Sequence, residues 1–222
     1  MQQANKTIEK NIFIAKQLII DNKNMSHTGE TYKKVKYVRC DGPNCLCGNC
    51  SGCFHSSCLV EMADGTNKSV EFIKSGDYVK TPNGIAKVLV KVQFNKKFPT
   101  ITKMCIFSGG LIITPYHPIK IKDEWVFPEN IDAIDHYEFT DGSIYNFILD
   151  IDSEHIIIVN GIQCCTFGHN IHDNDVIEHE FLGSNKIIGE LMKNPGYNDG
   201  HIIFDTNPFR RDPESGMICG LI

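Results

Sequence analysis

The chain has 222 residues, a net charge of -5 and ten cysteines. That length buries one substantial core without a disulfide scaffold, and the mild acidity offers no field for phosphate backbones or anionic lipid, so neither nucleic acid nor a membrane is an expected partner. The apolar stretch "IFIAKQLII" is broken by Lys16 and too short to span a bilayer, and no cleavage site follows it, so the expectation is an intracellular, cytoplasmic chain with its thiols mostly reduced.

In chain order, Ile8, Ile12, Ala15 and Ile19 recur at helical spacing with Thr7 as a cap, which predicts an amphipathic helix over 7–21 within an N-terminal element of residues 1–22. Residues 23–52 are polar and punctuated by glycine and cysteine, as in a Cys-rich linker arm. From Cys53 to about residue 170 the text changes to short Val- and Ile-rich runs ended by turn residues: "SVEFI", "IAKVLVKVQF", "ITKMCIF", "LIITP", "PIKIK", "IYNFILDI" and "EHIIIV". The domain is therefore mainly β. "EHIIIV-NG-IQCCTF" reads as a hairpin on a two-residue turn, placing His155 beside the strand that carries Cys164 and Cys165. Residues 171–222 form a mixed extension packed on the β domain, with one short helix near 186–193 and turns at Pro195-Gly196 and Asp199-Gly200.

Chemistry concentrates where the arm meets the first strand. A thiolate at Cys53 would attack the carbonyl just before it, and Gly52, having no side chain, lets the sulfur approach. The amide nitrogen is a poor leaving group and needs a proton as the bond breaks, a task for a positioned histidine. "TPYH" supplies one: Thr114 and His117 follow an apolar strand, and Pro115 and Pro118 stiffen the segment.

These residues carry a resemblance. "CFHSSCLVEMADGTNKSVEFIKSGDYV" resembles the opening block of the Hedgehog/intein (Hint) superfamily, with Cys53 rather than Cys58 in the nucleophile's register. "TPYH" is similar to its T-x-x-H block and "YNFILDIDSEHIIIVNGI" to its late block. "TPYHPIKIKDEWVFP", "TFGH", "HEFLGS" and "RRDPESGMICGLI" resemble, in order, the Vint subgroup attached to von Willebrand factor A domains. The resemblance implies a Hint-type compact β fold with short helices in a C-terminal extension. It implies an N-to-S acyl shift at the Gly52–Cys53 cleavage site, with Thr114 and His117 assisting. The thioester is then hydrolysed by water activated by His155 or His169, or passes to a second thiol such as Cys164 or Cys165. The chain would be a self-cleaving cysteine autoprotease acting once, in cis, on its own N-terminal segment, with no cofactor and with a von Willebrand factor A type module as partner in related proteins. Intein-like splicing is not expected, because Asn170 is followed by Ile171 rather than Cys, Ser or Thr.

Other assignments stand beside this one. Cys40, Cys45, Cys47 and Cys50 have spacings that would suit a soft-ligand zinc site, giving the alternative of a non-cleaving Hint-fold interaction module with a zinc-binding arm. Cys58, Cys105 and Cys219 lie among apolar residues and read as buried small hydrophobes. Trp125 and Phe127 read as sheet packing. His155 and His179 are equally consistent with core hydrogen bonding and with function.

Overall fold

The structure, a computed structural model, describes residues 52–95, 102–131, 135–139, 142–150, 152–172 and 174–222. The helix expected over 7–21, the arm up to Ser51 and the four arm cysteines lie outside the described residues. The first half of the domain contributes β1 (Phe54–His55), β2 (Leu59–Glu61), β3 (Asn67–Ser69), β4 (Tyr78–Thr81), β5 (Gly84–Asn95), β6 (Thr102–Ile106), β7 (Ile112–Ile113), β8 (Ile119–Ile121) and β9 (Glu124–Val126). The second half adds β10 (Asp135–Phe139), β11 (Ser143–Leu149), β12 (Ile156–Val159) and β13 (Ile162–Cys165), then one helix, α1 (Asn185–Leu191), and β14 (His201–Phe204), β15 (Phe209–Arg211) and β16 (Ile218–Leu221).

The strands make an eight-stranded sheet, ordered β10-β6-β7-β1-β11-β5-β14 with β4 also on β5, a six-stranded sheet, β3-β2-β12-β13-β8-β9, and the pair β15-β16. The mainly β architecture with one short helix in the C-terminal extension, expected from the sequence, is what the described residues adopt. The β12–β13 hairpin turns on Asn160 and Gly161 at φ of 50° and 79°, the positive pair that a tight two-residue turn demands, and it pairs Ile156 with Cys165.

Alternation along β1 sends neighbouring side chains to opposite faces. Phe54 enters a core with Val60, Ile113, Phe147 and Ile157, whereas Cys53 enters a second core with Val92, Ile148, Leu182, Ile187 and Ile202. The second core is shared with the C-terminal extension. That extension is more β-like than the sequence suggested: β14 joins the main sheet parallel to β5, and β15 and β16 pair with each other. Two local readings are corrected. "SVEFI" is not a strand but the end of β3 followed by a 3-10 turn over Val70–Phe72, because the chain must bend here to bury Val70 and Ile73 while leaving Phe72 outside. Cys219 is exposed rather than buried, since β16 alternates and buries Ile218 and Gly220 instead.

Candidate active site

The start of β1 is clasped by the end of β7. Cys53 N–H donates to Thr114 Oγ1 at 2.9 Å, and Thr114 N–H donates to the Cys53 carbonyl at 3.0 Å. A tight turn follows, His117 N–H donating to Thr114 O at 3.1 Å, and it swings the His117 ring back over the start of β1. A β-carbon on Gly52 would come within 3.3 Å of His117 Cγ and 3.4 Å of Nδ1. Gly52 also holds φ at +54°, in the left-handed region. Both facts favour glycine immediately before Cys53.

The protonation of His117 follows from its neighbours. Nε2 lies 2.8 Å from the Cys165 carbonyl, which only accepts, so the proton sits on Nε2 and the lone pair on Nδ1. Nδ1 is buried and has no hydrogen-bond partner. Complete burial pushes the His117 pKa down to about 4, opposed in part by backbone groups of Cys165 and Cys53, so the ring is neutral near pH 7.

A residue that the sequence reading passed over completes the grip. Asn146 of β11 is fully buried and donates from Nδ2 to the Gly52 carbonyl at 2.5 Å, while its Oδ1 accepts from Phe147 N–H. The signal was a single amide inside the apolar run "IYNFIL", since a buried amide needs partners.

Of the remaining histidines, His155 takes a φ of +51° and donates from Nδ1 to the Phe167 carbonyl at 3.2 Å, leaving the Nε2 lone pair. His169 is wired the other way: Nδ1 accepts from Ile171 N–H at 3.1 Å, so Nε2 carries the proton. Burial, then the charge of His155, His179 and His117 among others, lowers His169 to about 4. The structure thus brings Gly52, Cys53, Thr114 and His117 together, with His169 on the wall of the same cavity. His155 is not among that cavity's lining residues.

The cavity measures about 820 Å³, and its lining includes Gly52, His117, Asn146, Cys165 and His169 of the β domain and His179, Phe181 and Met217 of the extension. Cys165 lines it but burial raises its thiol to about 12. Cys164 belongs to the opposite core and is pushed well above the usual thiol range, again by burial first. Cys58 is occupied structurally, its sulfur bonded to both the N–H and the carbonyl of Ile112, and burial raises it to about 12. Phe127 is buried and Trp125 half-buried. Among the described residues no group of three or more His, Cys, Asp or Glu side chains is arranged to hold a metal ion, and no helix is long and apolar enough to cross a membrane.

The family model described as Vint, Hint-domain, matches residues 52–220. Among solved structures the chain is similar to a bacterial intein-like domain from Clostridium thermocellum (20% identity, TM-score 0.42, 51% of this chain and 98% of that one). It is also similar to the gp41-1 intein (16%, 0.38, 52% and 98%) and to a DnaB intein from Synechocystis sp. PCC 6803 (14%, 0.38, 52% and 98%). No curated protein matches the chain.

Proposed function

The chain belongs to the Vint family of Hint domains, whose model covers residues 52–220, and from that membership we propose that it cleaves itself between Gly52 and Cys53 by cysteine chemistry. Cys53 Sγ adds to the Gly52 carbonyl carbon and the C–N bond breaks. The thiol proton, carried by His117 Nδ1, ends on the freed Cys53 nitrogen, leaving a thioester between Gly52 and Cys53. Thr114 holds the amide through its hydroxyl, and Asn146 Nδ2 faces the oxygen on which negative charge develops. A preorganised donor of that kind contributes roughly 3 to 4 kcal/mol of barrier lowering. Water then adds to the acyl carbon and the C–S bond breaks. The electron pair returns to sulfur, a proton from water ends there, and residues 1–52 leave as the acid.

Of the two histidines, His155 keeps a lone pair on Nε2 but does not line the cavity, whereas His169 lines it but carries its proton on Nε2, so neither is assigned the proton of the attacking water. The raised pKa values of Cys164 and Cys165 argue against either thiol as acceptor.

One observation carries the reading. The carbonyl of Gly52 is held by a buried amide while an unpartnered imidazole nitrogen stands against the same residue. The full chain and its Cys53→Ala form, followed by mass spectrometry with and without hydroxylamine, test it. A break after Gly52 in the parent, promoted by hydroxylamine and absent from Cys53→Ala, is the expected result; an intact parent under both conditions overturns it.

A further inference from the structure

His179, the first residue of "HEFLGS", has no part in the acyl shift. Its Nδ1 accepts from Phe181 N–H at 3.2 Å and from Leu182 N–H at 3.0 Å, so its proton is on Nε2. That Nε2–H is buried, has no partner and belongs to a residue lining the cavity that Gly52 and Asn146 also line.

The turn alone does not call for histidine. Five residues earlier, Asn174 Oδ1 accepts from Val176 N–H at 3.0 Å and Ile177 N–H at 3.3 Å, the same second- and third-residue pattern. A δ-position acceptor is all the backbone uses. The outer nitrogen is the part without a structural use, and an unsatisfied buried donor is costly to keep.

We propose that His179 is a catalytic group of the second step, its Nε2–H donating to the carbonyl oxygen of the Gly52 thioester as water attacks. This rests on the acyl-shift reading above. In the resting amide the Gly52 oxygen belongs to Asn146. Transfer of the acyl carbon from nitrogen to sulfur moves that oxygen, and a donor that is idle in the peptide state then acquires its acceptor. A protonated nitrogen has no lone pair for water, so the role is donor and not base.

Two substitutions in the full chain separate this role from the turn. His179→Asn keeps a δ acceptor, as Asn174 does, and removes the outer donor; His179→Gln keeps an outer donor and removes the δ acceptor. Hydroxylamine-promoted cleavage reads thioester formation, and release in plain buffer reads thioester formation plus hydrolysis. His179→Asn is expected to keep the hydroxylamine rate within about threefold and its melting temperature, while release in plain buffer falls roughly 100-fold. His179→Gln is expected to recover roughly tenfold of that loss. Nitrogen-15 spectra of uncleaved Cys53→Ala protein are expected to show the His179 proton on Nε2. Parent-like release by His179→Asn, equal losses in both assays, no recovery with Gln, or a proton on Nδ1 would each overturn the proposal. A parent chain with no hydroxylamine-dependent break overturns the acyl-shift reading itself, and this step with it.

Discussion

The proposed role of His117 as proton carrier requires a free Nδ1 lone pair, and burial, by lowering its pKa to about 4, keeps it free across the neutral range. Thioester formation, read by cleavage at a constant concentration of unprotonated hydroxylamine, should therefore be insensitive to pH through the ordinary histidine range and fall as pH drops through about 4. A mid-point near 6.5 would mean an exposed, ordinary imidazole and would contradict the geometry. Asn146→Ala removes the donor on the Gly52 oxygen and should slow the same reaction roughly 100-fold, with little change in the clasp between Cys53 and Thr114; an unchanged rate would assign Asn146 a packing role alone. The meeting of the Gly-Cys pair with "TPYH" was legible because a glycine before a cysteine and a histidine between two prolines stand out in short motifs. Asn146 was not, because nothing local distinguishes a polar side chain that faces a distant carbonyl from an interruption in an apolar strand. Only the pairing of β11 with β1 brings it within reach of Gly52.

At the scale of elements, what the sequence conveyed well was whatever alternation and turn chemistry dictate locally. The β12–β13 hairpin was readable from Asn160-Gly161, and it delivers the Cys165 carbonyl that fixes the tautomer of His117. Parallel pairing of β14 with β5 was not readable, since a short run such as "HIIF" carries no signal for a partner more than 100 residues earlier. Cys219 shows how neighbour composition misleads: it stands among apolar residues, yet the period-two alternation of β16 turns it outward. Brief alkylation of native protein followed by peptide mapping should label Cys219 and leave Cys58, Cys105 and Cys164 unmodified. Labelling of Cys164 at a comparable rate would contradict the burial of β13 against β8. Gly183 is the counterpart for close approach. A β-carbon there would lie 2.8 Å from His169 Nε2 and 2.9 Å from the His179 carbonyl. Gly183→Ala should thus displace the His169 ring from the cavity and lower the melting temperature, whereas Gly189→Ala on α1, where nothing lies within 4 Å, should leave it unchanged or raised.

Across the whole molecule, Cys53, the proposed nucleophile, is buried by both halves of the chain: it packs with strands of the β domain and with Leu182, Ile187 and Ile202 of the extension. The same closure buries three imidazoles in neutral form, His117, His169 and His179, each lowered to about 4 chiefly by burial. In the unfolded chain they return to about 6.5. Between these values the unfolded state binds more protons than the folded one, so unfolding free energy rises with pH through this window. The stabilisation is complete above about 6.5 and is lost as pH falls towards 4. For fully buried His117 alone it amounts to roughly 3 kcal/mol at most. The carboxylates with lowered values, Asp64, Glu180 and Asp212, titrate below their ordinary 3.8 to 4.5 and add their loss at the acid end of the window and beyond it. Urea unfolding of Cys53→Ala protein, which under the proposed chemistry stays uncleaved, should show stability falling steeply between pH 6.5 and 4.5. His117→Asn should flatten that slope by about one proton. A stability that is level over this interval would mean that the imidazoles are reached by water, and that the extension does not close over the Gly52–Cys53 bond.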